Sequence, residues 1–323
     1  MVAETQFKDR AYSDADLQAV TDLLNACDAV DKMDDSYTTA DLEMQIGGPE
    51  FDKARDLRLW EDAEGNLVAL AKVRRLPSLE DGTLDGVIRK HVHPDARDMG
   101  LEDETIRWME RRIRQAAGEQ GIPGRMRGST RDYDTEGRKV FERNGMSVVR
   151  YFFVMKRDLA EPIAEPLFPE GFTLTHSKGI AEVEKWVDMV NLSFIDHWNH
   201  HPVTVAKMAF WLESPKYRLD LDLVAVAPDG TFAAFCSCTI DTDDNERNNR
   251  QVGWIDMLGT RRGYRKIGLG RAMLLSGLQR LKADGMTVAK LGVDAENPTG
   301  ALQLYESAGF VTEFTSVVYR KDV

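Results

Sequence analysis

The sequence predicts a mixed α/β (α+β) protein that carries one fold in two tandem copies. Three observations point there. At 323 residues, the chain exceeds the roughly 100–200 residues of one typical domain. A proline-bearing stretch of small and acidic residues, Asp158–Gly171 (DLAEPIAEPLFPEG), divides it near its middle and reads as an extended linker. The landmarks on either side of that stretch repeat.

In the second half, Arg265–Gly270 reads RKIGLG and precedes a helix with Leu274, Leu278 and Leu281 on one face. A strand, VAKLGVD, and then LYESAGF at Leu304–Phe310 follow. In the first half, Arg97–Glu102 reads RDMGLE and precedes a helix with Ile106, Met109 and Ile113 on one face, then VFERNGM at Val140–Met146. Gly100 pairs with Gly268 and Gly145 with Gly309, at offsets of 168 and 164 residues. Two landmarks at nearly one offset, with like elements between them, indicate a duplicated unit. Chance likeness of two helix–strand–helix stretches is the alternative. The expected division is a first domain at 1–157, a linker at 158–171 and a second domain at 172–323.

The second half can be followed element by element. Val183, Trp186, Val187 and Val190 recur at helical spacing and predict a helix over Ile180–Phe194. A second helix is expected over Val203–Glu213. Leu221–Val226, Ala233–Ile240 and Val252–Leu258 read as strands, the first two joined by a turn at Pro228-Asp229-Gly230. Asn297 suits an N-cap, Pro298 the first helical position and Gly309 the position after the last turn of one more helix. The resulting order is helix, helix, three strands, helix, strand, helix, strand.

Composition narrows the function classes. Asp and Glu outnumber Lys and Arg by 54 to 42, a formal charge of −12, which argues against a general nucleic-acid binder. The arginine-rich run Arg107–Arg114 reads as a solvated helix face and does not override that balance. No apolar run reaches the 18 or so residues of a membrane span. Three cysteines and a charged N-terminus lead to the expectation of a reducing, cytoplasmic setting. Cys236 and Cys238 alternate on a strand and read as small core residues. His197, His200 and His201 cluster in a loop without cysteine companions, so no metal site is expected.

The chemistry concentrates in Asp256–Asp284. A strand ends near Met257-Leu258-Gly259, a basic loop runs to Gly270, and a helix begins. Glycines at such a turn let backbone N–H groups approach a ligand. The helix start adds unpaired donors and partial positive charge. With Arg265, Lys266 and Arg271 nearby, this is a site for a phosphate or pyrophosphate; the plain alternative is a tight turn within a solvated loop. Neither a G-x-x-x-x-G-K-[ST] loop nor a G-x-G-x-x-G dinucleotide fingerprint is present.

R-x-x-G-x-G opening a helix, followed by N-P-x-x-A-x-x-L-Y-x-x-x-G-F over Asn297–Phe310, resembles the GCN5-related N-acetyltransferase (GNAT) family. The two-copy layout resembles its mycothiol synthase branch. The resemblance implies tandem GNAT-like acyl-CoA N-acyltransferase folds, each a mostly antiparallel mixed sheet flanked by helices. It implies acetyl-CoA as co-substrate, with Arg265, Lys266, Ile267, Gly268, Leu269, Gly270 and Arg271 around its diphosphate. Met257, Leu258 and Gly259 would bond the pantetheine arm and Asn297 would also touch CoA. Tyr305 matches the tyrosine that protonates the leaving thiolate. The family's usual glutamate base falls at Trp254, so Asp256, two residues on and on the same strand face, is the candidate base, with Asp294 behind it. Asp196, His197 and Trp198 lie where the family lines its acceptor side.

The implied reaction is acetyl transfer from acetyl-CoA to a primary amine, a small molecule foremost, by direct attack in a ternary complex. The alternatives are a non-catalytic acyl-CoA-binding or regulatory module and a peptide or protein N-acetyltransferase. A monomer or a homodimer fits a tandem fold. The first copy is expected to be degenerate. Glu102 stands where Gly270 stands, and a carboxylate there would repel a diphosphate. Phe141 stands where Tyr305 stands and has no hydroxyl.

Overall fold

A computed structural model describes residues 7–33, 37–48, 51–77, 81–198 and 200–323. The chain forms two compact units, residues 1–149 together with 317–323, and residues 150–316. The first half of the chain runs β1 (Lys8–Ala11), α1 (Leu17–Asp31), α2 (Thr39–Ile46), α3 (Lys53–Asp56), β2 (Leu57–Glu61), β3 (Leu67–Pro77), β4 (Leu84–Val92), α4 (Leu101–Gln120), β5 (Gly124–Arg131), α5 (Thr135–Arg143) and β6 (Ser147–Asp158). The second runs β7 (Thr173–His176), α6 (Val183–Phe194), α7 (Val205–Leu212), β8 (Asp222–Val226), β9 (Phe232–Thr239), α8 (Thr242–Arg247), β10 (Val252–Thr260), α9 (Leu269–Ala283), β11 (Val288–Asp294), α10 (Ala301–Ser307) and β12 (Val311–Asp322). With the short helices α3 and α8 set aside, the two halves have the same order of elements. β7 and α8 escape the sequence reading because four and six residues are too few for a period to show.

Each unit has the mixed, mostly antiparallel sheet that the sequence implied. In the first, β1–β2, β2–β3 and β3–β4 are antiparallel and β4–β5 is parallel. In the second, β7–β8, β8–β9 and β9–β10 are antiparallel, β10–β11 is parallel and β11 pairs antiparallel with β6.

Helices cover both faces of each sheet. In the first unit Ile106, Met109 and Ile113 of α4 are fully buried against Ala71, Val73 and Ile88. Val20, Leu23 and Leu24 of α1 cover the other face over Leu59 and Leu70. Arg112 departs from the solvated arginine face: it is buried and pairs with the buried Asp56 at 2.8 Å. In the second unit Leu274, Leu278 and Leu281 of α9 pack on Cys236, Ile255 and Leu291, while Trp186 and Val190 of α6 pack on Val224 and Phe235. β9 is covered on both faces, which explains its unbroken run FAAFCSC.

Candidate active site

β10 and β11 run side by side from Val252 and Val288 to Ile255 and Leu291, and then part. Beyond that point β10 stays with β9 as far as Thr260, and β11 stays with β6 as far as Asp294. The facing edges at 256–260 and 292–294 therefore lose their mutual ladder. Their backbone N–H and C=O groups can pair with an extended, amide-bearing ligand laid between them.

The strands part at a β-bulge. Ile255 pairs with Cys238 and Met257 with Ser237, so Asp256 is the extra residue. Simple alternation puts Asp256 on the face of Trp254. The bulge breaks that alternation and re-aims the carboxylate on its own account. Asp256 is solvent-accessible, yet protein encloses it within the cleft. That enclosure raises its pKa above the ordinary carboxylate value, against a hydrogen bond from Thr239 that lowers it. Met257 packs with the Phe235 core and Leu258 with the α9 core. At Gly259 a Cβ would lie 2.4 Å from the Phe235 ring, so this glycine answers to packing.

The loop from β10 to α9 is shaped for an anion. Gly268, the N-cap of α9, has φ +93° and Lys266 has φ +66°. Among the described residues, no backbone N–H from Arg265 to Arg271 has a hydrogen-bond acceptor. A row of free donors at a helix start fits a diphosphate. At Gly270 a Cβ would meet Thr260 Oγ1 at an ordinary 3.4 Å, so the protein itself leaves room for a side chain there. Lys266 and Ile267 are exposed, Leu269 is buried beneath the loop, and Arg271 donates to Ser307 Oγ at 2.8 Å.

The side chain of Arg265 is committed elsewhere. It donates to the Thr260 and Ser193 carbonyls at 3.1 and 2.9 Å and pairs with Asp196 at 2.7 Å. Arg262 also pairs with Asp196. These contacts tie the end of α6 to the loop, and Arg265 first, then Arg262, holds the Asp196 carboxyl below its usual pKa. The sequence did not reveal this latch, because its members are some 70 residues apart (66 and 69) and no local pattern links them.

α10 begins later than its sequence suggests. Gly300, with φ +81°, is its N-cap. Asn297 is not the cap; its Oδ1 accepts from Thr299 N and Thr299 Oγ1 at 2.8 and 2.6 Å, a local turn that competes with capping. The other end follows the expectation. Gly309, with φ +89°, donates to Glu306 O at 3.0 Å and Phe310 N–H donates to Tyr305 O at 3.1 Å, a Schellman motif. The first unit repeats it with Gly145 to Glu142 and Met146 to Phe141.

Tyr305 is 7% exposed, its ring 6.1 Å from that of Phe310. Its hydroxyl has no hydrogen-bond partner among the described residues, and burial pushes its pKa well above the usual tyrosine value. It is therefore a protonated donor at any working pH. Asp294, the second acid, is 2% exposed and held by Arg150 at 2.9 Å. Trp198 packs between Phe152, at 6.1 Å, and Arg150, at 5.6 Å, and His197 packs on Phe194 at 5.6 Å. Among the described residues no group of three or more His, Cys, Asp or Glu side chains is arranged to hold a metal ion. Among the described residues no helix is long and apolar enough to cross a membrane.

Residues 183–310 match the acetyltransferase (GNAT) family model. The chain is 29% identical over 182 residues to a mycothiol acetyltransferase of Thermobispora bispora, covering 55% of this chain and 59% of that one. It is 26% identical over 318 residues to a mycothiol acetyltransferase of Geodermatophilus obscurus, covering 95% of this chain and 94% of that one. Among solved structures, a GCN5-related N-acetyltransferase from Sphaerobacter thermophilus superposes with a TM-score of 0.74 at 25% identity, covering 98% of this chain and 96% of that one.

Proposed function

We propose that this chain, whose residues 183–310 match the acetyltransferase (GNAT) family model, transfers the acetyl group of acetyl-CoA to a primary amine of a small molecule. One observation carries the reading. The open strand edges at 256–260 and 292–294, the first of which bears Asp256, stand before the N–H row of Arg265–Arg271, which is free of acceptors among the described residues.

In this reading the loop N–H groups and the start of α9 hold the diphosphate, and the β10 edge from Met257 to Gly259 bonds the pantetheine arm. Asp256, made more basic by its enclosure, takes the proton of the attacking ammonium, directly or through a water. A backbone N–H of the β10 edge stabilises the oxyanion. The Tyr305 hydroxyl donates to the departing sulfur. Arg265 serves by holding the end of α6 against the loop through Asp196, so Asp196 acts on the acceptor side as a positioning group. The names of the relatives put the unacetylated form of mycothiol first among acceptors to try.

The test is release of free thiol from acetyl-CoA with a panel of amines. Tyr305→Phe should lower kcat by about 10²-fold, with KM for acetyl-CoA within about threefold. Unchanged turnover in that variant would remove the tyrosine from the reaction. Binding of acetyl-CoA without turnover on any amine would favour the regulatory-module reading.

A further inference from the structure

The first unit holds a cavity of about 360 Å³ that takes no part in the site above. β4 and β5 pair in parallel only from Leu84 and Gly124 to Val87 and Arg127, and then part. The cavity fills that wedge, the counterpart of the opening between β10 and β11. Its apolar wall is Leu24, Ile88, Val92, Val140 and Phe141.

Arg89, Lys90 and Glu102 line it without an ion-pair partner among the described residues, and Arg89 is exposed to solvent. Lys90 makes no hydrogen bond or ion pair with any described residue. It is half-buried along the cavity wall, and the loss of water pushes its pKa below the ordinary lysine value, against the fields of Glu102 and Asp134. Glu102 is 8% exposed. One of its oxygens, Oε1, accepts the Asp98 N–H at 3.3 Å, while Oε2 is buried with no partner. Asp31 and Asp134, which also line it, are already engaged: Asp31 pairs with Arg97 at 2.7 Å, and Asp134 accepts from Gly137 N–H at 2.9 Å and from the Thr130 hydroxyl.

Glu102 thus places its own carboxylate in the loop where the second unit leaves its donors free. A diphosphate would meet that charge at close range. A buried carboxylate oxygen without a donor carries a desolvation cost, the half-buried Lys90 ammonium lines the same wedge without an acceptor, and one ligand with both charges answers both. We propose that this wedge binds a small zwitterion of the α-amino-acid class. Its ammonium donates to Glu102 Oε2, its carboxylate accepts from the Lys90 ammonium, and its side chain lies against Leu24, Ile88, Val140 and Phe141. Phe141 has no hydroxyl, so the site binds without acyl transfer.

Calorimetric titration of the full chain tests this with the twenty common α-amino acids as probes. Their decarboxylated and N-acetylated counterparts serve as single-charge controls. At least one amino acid should bind, and its single-charge counterparts should bind tenfold more weakly or worse. Glu102→Gln, which keeps the shape of the side chain, and Lys90→Met should each weaken that binding at least tenfold and leave acetyl-CoA affinity unchanged, with circular dichroism confirming that both variants fold. Absence of binding by every amino acid would overturn the proposal, as would binding that ignores both substitutions. Two equivalents of CoA bound per chain would overturn it too, because the second would have to share the loop with Glu102.

Discussion

The two residues to which the proposed reaction gives proton transfer, Tyr305 and Asp256, were legible to different degrees. Tyr305 follows from the motif, because a helix that ends in glycine repeats in both units and puts Tyr305 and Phe141 three positions before its cap. Asp256 was reached by counting along a strand, and the bulge shows that such counting does not determine where it points. Its enclosure yields a pH prediction. A carboxylate whose pKa is raised is protonated, and useless as a base, up to a higher pH than the usual value of about 4. The acidic limb of kcat/KM should therefore lie above that value. Asp256→Asn should lower kcat by about 10²-fold and remove that limb. A pH–rate profile of the variant that keeps the limb would assign it to another group.

At the scale of elements, the loop between β10 and α9 and its counterpart in the first unit differ in their side chains, Asp98 against Lys266, Met99 against Ile267 and Glu102 against Gly270. Both loops place a residue at positive φ two positions before their glycine, Asp98 at +61° and Lys266 at +66°. Backbone shape is thus shared, while Glu102 fills the first loop and Gly270 leaves the second open. Gly270→Glu should weaken CoA binding at least about a hundredfold, since two like charges a few ångströms apart near a protein surface cost about 4 kcal/mol. The Tm should barely move, because a Cβ at Gly270 meets only ordinary contact. Isothermal titration and a thermal melt together check both halves of the prediction. The capping role expected of Asn297 was lost to a turn two residues long. A side chain that can bond its near neighbours as well as cap a helix leaves the choice to the surrounding chain.

For the whole molecule, the last residues fold with the first unit. Val317 and Tyr319 lie in its core, Tyr319 stacks on Phe141 at 5.1 Å, and Val323 N–H donates to Gly124 O at 2.9 Å. Removing 317–323 should destabilise the first unit by about 3 kcal/mol or more, the scale of losing a large core aromatic. Hydrogen exchange should show the loss in β4, β5 and α4 first. If protection there survived the truncation, the last strand would not be part of that core. A reading by sequence alone assigns each half its own last strand, since nothing local marks which sheet a strand joins. The duplication, the glycine turn, the tyrosine and the Glu102 and Phe141 replacements in the first copy were all legible in the sequence. Each depends on residue type at short spacing, where backbone geometry and side-chain chemistry follow directly. The bulge at Asp256, the Asp196 latch, the partners of Glu102 and the destination of residues 317–323 were decided only by tertiary structure. They depend on which distant segments meet, and that is settled by packing the whole chain rather than by any window of it.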